Sequence, residues 1–185
     1  MRVFIAIKIS DTILRGVRPI LQKLRDVGAH VKWVKPENMH LTLKFLGDID
    51  PTIVPQVADC AREAVGSVQP FEIDICGIGT FPQGRPPRVV WLGTDDPSGS
   101  LSLISDRLDK LLVKVGVPSD NRAFRPHLTL GRIRSRRKTD ELVNCIDSLS
   151  ATRLGTQCVD EIILFESQLT RTGPVYTRVS TQQLG

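Results

Sequence analysis

Paired cysteines, long apolar runs and repeats of solenoid length are all missing from this 185-residue chain. Each absence removes a class of protein. The four cysteines, Cys60, Cys76, Cys145 and Cys158, form no CxxC pair. Thiols scattered in this way are expected to be small buried apolar residues, which argues against disulfides and against a thiolate-rich metal site. No run approaches the roughly 20 apolar residues needed to cross a bilayer. The opening segment, MRVFIAIKIS, is interrupted by Lys8 and lacks the apolar core and small-residue cleavage site of a signal peptide. A soluble cytoplasmic protein with no membrane association is the expectation. Low-complexity tracts are absent as well, so folded structure should extend almost throughout. Histidine is scarce, with three in the chain, and their positions carry most of the functional argument.

The residues that are present suit one compact domain, or two small lobes sharing a core. Hydrophobic residues at 41% and charged residues at 24% lie near globular averages, so a buried core is available. A formal charge of +5 and a pI near 9.3 suit a polyanionic partner.

Periodicity divides the chain into elements. Residues 2 to 9 alternate as a strand, and Ser10 or Asp11 caps a helix running to about Val27, with Pro19 inside it. Val31 to Val34 reads as extended, Pro36 to Asn38 as a turn, Met39 to Leu46 as a strand and Pro51 to Val65 as a helix. Phe71 to Ile78 and Arg88 to Thr94 read as strands joined by the Gly- and Pro-rich segment Gly79 to Pro87, long enough to reach over a cleft. Ser98 to Val115 has the clearest helical spacing, with Ser98 or Ser100 as cap and Gly116 as stop. A strand over Pro126 to Ile133, a helix over Thr139 to Leu149, and strands over Val159 to Ser167 and Val175 to Val179, joined through Thr172-Gly173-Pro174, complete the order. That order implies an α+β fold with antiparallel strand pairs.

Two of the three histidines lie in one repeated tetrapeptide, His40-Leu41-Thr42-Leu43 and His127-Leu128-Thr129-Leu130. In a strand each His shares a face with the Thr two positions on, while the leucines point into the opposite layer. If the two halves pack about a pseudo-twofold axis, the polar faces converge on one cleft. Two imidazoles and two hydroxyls around one point suit phosphate chemistry. One histidine takes a proton from water, the other protonates a departing ribose oxygen, and Thr42 and Thr129 hold non-bridging oxygens. A single HxT is usually a packed or solvated histidine beside a common strand former. Two copies on predicted strands reverse that judgement. His30 has no such context and is expected at the surface or a helix end.

Arginine is abundant around the second motif: Arg122, Arg125, Arg132, Arg134, Arg136 and Arg137. Guanidinium groups make bidentate contacts to phosphate. Arg125 and Arg132 flank the His-Thr strand and are the stronger substrate-binding candidates, while Arg136 and Arg137 read as a solvated loop. Strict alternation does not decide which face Arg132 occupies. Trp33, Phe45, Phe81, Trp91 and Phe124 are candidates for stacking a base, with Phe45 singled out and most of the others expected in the core.

At these residues the chain resembles the two-histidine phosphoesterase superfamily, and within it the bacterial RNA 2',3'-cyclic phosphodiesterases also described as 2'-5' RNA ligases. The resemblance rests on WVKPENMHLTLKFLG (Trp33 to Gly47) and FRPHLTLGR (Phe124 to Arg132). It is joined by Arg2-Val3-Phe4-Ile5-Ala6-Ile7, Gly79-Thr80-Phe81-Pro82, Arg88-Val89-Val90-Trp91 and Gly173-Pro174-Val175-Tyr176. It implies one bilobal domain over residues 1–185, with two pseudo-symmetric lobes whose antiparallel sheets face a central cleft and whose helices lie outside. It implies His40 as proton donor, His127 as proton acceptor, and Thr42 and Thr129 as phosphate ligands. The implied partner is RNA with a 2',3'-cyclic phosphate end, opened to a 2'-phosphate without metal or cofactor by a monomer, with 2'-5' ligation as the reverse reaction. The polar ending Ser180 to Leu184 departs from the more apolar ending of that group.

Two other readings compete. A module that binds phosphorylated RNA ends without turnover would also use the basic patch. A metal-dependent hydrolase would recruit a carboxylate such as Asp48 or Asp120 beside the histidines, although neither motif has one in ordinary ligand spacing.

Overall fold

The computed structural model describes residues 1–82, 86–120, 123–171 and 173–185. Strand β1 (Arg2–Lys8) buries Val3 to Ile7 and leads into helix α1 (Asp11–Asp26). The Ser10 hydroxyl caps that helix by accepting from the Ile13 N–H at 3.4 Å. The apolar stripe Ile13, Val17, Ile20, Leu21 and Leu24 is buried, and the helix runs on through Pro19. Strands β2 (Val31–Trp33) and β3 (His40–Asp48) follow, separated by a 3-10 turn at Pro36–Asn38. A second 3-10 turn at Pro51–Ile53 leads into α2 (Val54–Val65). Then come β4 (Phe71–Phe81), β5 (Val89–Asp95), α3 (Ser100–Val113), β6 (His127–Ile133) and α4 (Thr139–Ser148). Strands β7 (Arg153–Val159), β8 (Glu161–Thr170) and β9 (Gly173–Gln183) end the chain. Among the described residues no helix is long and apolar enough to cross a membrane.

The strands form one curled antiparallel sheet in the order β7-β4-β5-β6-β3-β1-β8-β9, with β2 also paired to β6. The two motif strands, β3 and β6, lie at its middle, joined by the pair Leu41 and Leu128. On one side stand β3, β1, β8 and β9, covered by α2 and α3; on the other stand β6, β5, β4 and β7, covered by α1 and α4. This is the expected α+β arrangement of two pseudo-symmetric lobes. Each lobe draws strands and helices from both ends of the chain. β8 and β9 complete the lobe begun by β1 and β3, while β4 and α1 lie in the lobe of β6.

Several boundaries differ from expectation. Strand β4 continues through Gly79 to Phe81, because Gly79 there admits the Trp91 ring: a Cβ would lie 2.6 Å from Trp91 Cζ2. Gln83, Gly84 and Arg85, within the segment expected to arch over the cleft, and Thr172, in the last expected turn, lie outside the described residues. Strand β7 escapes sequence reading because it is a polar edge strand paired to β4 alone, with an irregular burial pattern. Helix α3 begins after Gly99, in a left-handed conformation with φ +69°, and takes its capping from Ser98 Oγ and from Asp96 Oδ2, which accepts the Leu101 N–H at 2.7 Å. The polar chain end is strand too: Thr181 to Gln183 pair with Ile163 to Glu161. The cysteines are not core residues, since Cys158 is exposed and the other three are partly exposed; none of the four is disulfide-bonded.

Gly131 shows how tightly β2 is seated. It pairs with Trp33, and a Cβ at Gly131 would lie 2.7 Å from both Trp33 Cε3 and Val31 Cγ1. Replacing a strand glycine by alanine gains about 0.4–1 kcal/mol from the unfolded chain, whereas overpacking costs about 1–3 kcal/mol, so the clash decides the sign. Gly131→Ala is expected to lower stability by about 1–2 kcal/mol in thermal unfolding. A midpoint at or above that of the parent would mean that Trp33 moves aside freely.

Candidate active site

Both motif strands carry an extra residue at the same place. Against β1 the register passes from Ala6 opposite Thr42 to Ile5 opposite Lys44, leaving Leu43 unmatched. Against β5 it passes from Trp91 opposite Thr129 to Val90 opposite Gly131, leaving Leu130 unmatched. Each irregularity shifts the following residues to the other face. Leu41, Leu43 and Lys44 are buried and Phe45 returns at 48% exposure; Leu128, Leu130 and Gly131 are buried and Arg132 is exposed. Strict alternation would have sent Phe45 and Arg132 to the leucine side. The bulges return both to the face of His40, Thr42, His127 and Thr129.

The pairing of Leu41 with Leu128 sets the positions of their neighbours. In an antiparallel register, one step either way places His40 alongside Thr129 and Thr42 alongside His127. The sheet thus joins each imidazole to the hydroxyl of the other motif.

The two rings are held alike. His40 Nδ1 lies 2.9 Å from the Asn38 carbonyl oxygen, and His127 Nδ1 lies 2.7 Å from the Arg125 carbonyl oxygen. A carbonyl only accepts, so Nδ1 is the donor in each ring and carries hydrogen. This leaves Nε2 as the working nitrogen of both histidines, able to accept a proton when neutral and to donate one when charged.

Their surroundings differ. His40 packs against Phe4, with centroids 4.6 Å apart, and against the edge-on ring of Tyr176 at 5.2 Å. Burial lowers its pKa below the ordinary 6.5, the Asn38 carbonyl opposes that, and the charge of His127 adds to the lowering. His127 meets Phe81 edge-on at 5.2 Å. Tyr176 is itself pushed up by burial, with Arg132 and Arg2 opposing.

Two adjoining cavities of about 820 and about 930 Å³ meet at the motif strands. Thr42, Phe45, Thr129 and Arg132 line both; His40 lines the first, and His127 and Arg125 the second. All seven residues singled out from sequence therefore lie around one divided cleft. Phe45 lies beneath the Arg2 guanidinium at 5.1 Å, and Arg125 lies over Phe81 at 6.0 Å. The stacking candidates Trp33, Phe81 and Phe124 are partly exposed along the cleft, and Trp91 is partly buried behind Phe81. The expectation that most of them would be core residues is thus corrected. His30 is exposed, as expected, beside Ser135, and Arg136 and Arg137 are exposed. Arg122 lies outside the described residues. Among the described residues no three His, Cys, Asp or Glu side chains gather into a ligand set.

Sequence reading missed Asn38, whose carbonyl orients His40 and whose amide donates to Pro174 O at 3.1 Å. It also missed Phe4 and Tyr176 as walls of the His40 pocket, because aromatic residues in apolar strands give no signal separate from packing. Lys44 was missed as well. The bulge turns its side chain inward, at 5% exposure, where it pairs with Asp109 on α3 and donates to Pro118 O at 3.3 Å. Asp109 also accepts from the Asp120 N–H at 2.9 Å and from the Ser119 hydroxyl. The buried lysine thereby ties β3 to the segment that leads into His127.

The chain matches the family model described as LigT like phosphoesterase twice, over residues 7–91 and 92–176. It is 37% identical to a Methanothermobacter thermautotrophicus protein named RNA 2',3'-cyclic phosphodiesterase, covering 100% of this chain and 99% of the relative. An Aquifex aeolicus protein of the same name is 34% identical, with coverages of 100% and 98%. Among solved structures, a Thermus thermophilus protein superposes with TM-score 0.83 at 25% identity, covering 100% of this chain and 98% of that one. Escherichia coli LigT complexed with 3'-AMP gives TM-score 0.80 at 25% identity, with coverages of 99% and 97%.

Two measurements test the site. Nitrogen-detected NMR of the ligand-free protein is expected to show both imidazoles as Nδ1–H tautomers, with His40 titrating below 6.5; an Nε2–H tautomer for either ring would contradict the backbone anchoring. Burial raises the Asp109 carboxyl, but hydrogen bonds from Lys44, Ser119 and the Asp120 N–H outweigh it and hold the group at about 2. Its contribution to stability is therefore complete above the ordinary 3.8 and is lost as pH falls towards about 2. Asp109→Asn is expected to be less stable at neutral pH and to lose less further stability across that acid range. Parallel curves for the two proteins would rule out this coupling.

Proposed function

The chain belongs to the LigT-like phosphoesterase family, and from that premise we propose that it hydrolyses RNA 2',3'-cyclic phosphate ends, leaving a 2'-phosphate, by acid-base catalysis between His40 and His127. The observation that carries the reading is the pairing of Leu41 with Leu128, which sets two back-anchored imidazoles beside two hydroxyls at the divide of one cleft. Phosphorus would sit at that divide. His127 Nε2 takes a proton from water, and the resulting oxygen attacks phosphorus as the bond to O3' breaks. His40 Nε2 gives its proton to O3'. The 2'-oxygen keeps the phosphate, and exchange with solvent resets both rings. Thr42 and Thr129 donate hydrogen bonds to the non-bridging oxygens, and Arg132 supplies positive charge where negative charge grows. Joining a cyclic end to a 5'-hydroxyl follows the same steps with that hydroxyl in place of water: it gives its proton to His127, its oxygen attacks phosphorus, and O3' leaves with the proton of His40. Phe45 and Arg125 complete the contacts to the substrate. A single bilobal unit acting as a cytoplasmic monomer belongs to the same proposal.

The lowered pKa of His40 bears on its role as the acid. A neutral imidazole has no proton to give, so the acid must be charged when substrate is in place. The anionic diester supplies the reason, because a negative charge beside the ring favours its protonated form and offsets the cost of burial. Proton uptake by His40 then accompanies binding.

The test is a short RNA with a 2',3'-cyclic end, incubated in excess chelator and analysed for phosphate position. A 2'-phosphate is expected; unchanged RNA would make the protein a binder of phosphorylated ends. His40→Ala and His127→Ala are each expected to lose about 100-fold to 10,000-fold in kcat with the fold intact. Thr42→Ala and Thr129→Ala are expected to lose less. The kcat/KM profile should fall as pH rises through the lowered pKa of free His40. Near-parent turnover in either histidine variant would refute the assignment.

A further inference from the structure

Resting on the acid and base roles assigned above, we propose that the RNA chain leaves the reaction centre on the His40 side, its upstream phosphates lying along Lys32, Lys35 and Arg134, so that polynucleotide ends are favoured over mononucleotides. In-line displacement sets the direction. The departing ribose oxygen must face the acid and the attacking water must face the base. His40 borders the first cavity and His127 the second, so the terminal ribose lies in the first. The chain continues from the 5'-oxygen of that ribose, and the phosphates preceding the end begin there.

Charge divides the cleft in the same sense. Among the described residues the first cavity is lined by Arg2, Lys32, Lys35, Arg132 and Arg134 against one carboxylate, Glu37. The second has Lys44, Lys110, Arg125 and Arg132 against Asp106, Asp109 and Asp120, and Lys44 is already paired with Asp109. A polyanion is attracted to the first side and gains far less from the second.

The cations of the first cavity also stand outside the ion pairs of the described residues. Those pairs join Lys44 to Asp109, Arg62 to Asp59, Arg153 to Asp74 and Arg178 to Glu161. None involves Arg2, Lys32, Lys35, Arg132 or Arg134. Lys32, Lys35 and Arg134 are exposed, so a phosphate can reach them without rearrangement. They lead away from the reaction centre in the order Lys35, Lys32, Arg134, since Val34, the neighbour of Lys35, donates its N–H to Leu130 O next to Thr129. Lys32 pairs with Arg132 across β2 and β6, and Arg134 follows two residues, about 6–7 Å, further along the extended chain. Trp33, partly exposed in the same cavity, offers a ring on which a base can stack.

The experiment compares kcat/KM for a 2',3'-cyclic mononucleotide and for a short oligoribonucleotide with the same terminal nucleotide, over a range of salt. The oligonucleotide is expected to be favoured by about tenfold or more at low salt, with the advantage shrinking as salt rises. Lys32→Ala, Lys35→Ala and Arg134→Ala are each expected to lower the oligonucleotide-to-mononucleotide ratio. Each should also reduce the log-log salt slope for the oligonucleotide by about 0.7 for every phosphate that the variant no longer neutralises. Lys110→Ala, on the second side, is expected to leave the ratio in place. Equal kcat/KM for the two substrates, or a ratio that responds to Lys110→Ala and not to the other three, would overturn the proposal while leaving the hydrolase reading intact. Failure to turn over either substrate would remove the hydrolase reading, and this one with it.

Discussion

One short antiparallel contact, Leu41 against Leu128, decides whether this protein has a reaction centre. Both side chains are fully buried, and burial of a leucine is worth about 1.5–3 kcal/mol. Its larger consequence is positional. The flanking residues are the two histidines and two threonines, and a misplacement of about 1 Å in a reacting group can cost about 100-fold in rate. The order of strands protects the contact. Because β8 and β9 complete the lobe of β3, and β4 completes the lobe of β6, neither lobe can form from one end of the chain alone.

Sequence made visible whatever depended on a repeated local pattern. The two HLTL segments, the helices α1 and α3 and the core strands all announce themselves through apolar periodicity, and the duplicated motif alone marks the candidate residues. Features set by nonlocal contact were hidden. Arg132 and Phe45 reach the cleft through bulges at Leu130 and Leu43, which no alternation rule locates. Gly79 looked like a turn residue because glycine usually marks one, whereas here it admits the Trp91 ring. Strand β7 gave no signal because an edge strand with polar residues on both faces has little to bury. The cysteines were misjudged for a related reason: their burial is a property of where elements pack, and small size alone does not decide it.

The backbone frame treats the two motifs as equivalents, down to the placement of the bulge and the carbonyl that each Nδ1 engages. An acid and a base cannot be told apart by that frame, so the distinction must come from what fills it. The position after the second leucine is Lys44 in one strand and Gly131 in the other; the next is Phe45 in one and Arg132 in the other. His40 is enclosed by Phe4 and Tyr176, while His127 has Phe81 at its edge and Arg125 nearby. Burial favours the neutral form of His40, and a nearby anion opposes that preference because its charge acts within the same poorly solvated pocket. On the proposed roles, the surroundings that lower the pKa of free His40 make its charged form depend more on the charge of the substrate. Under the roles proposed for the two histidines, a symmetric scaffold with unlike fillings gives a donor whose charged form a bound phosphate favours.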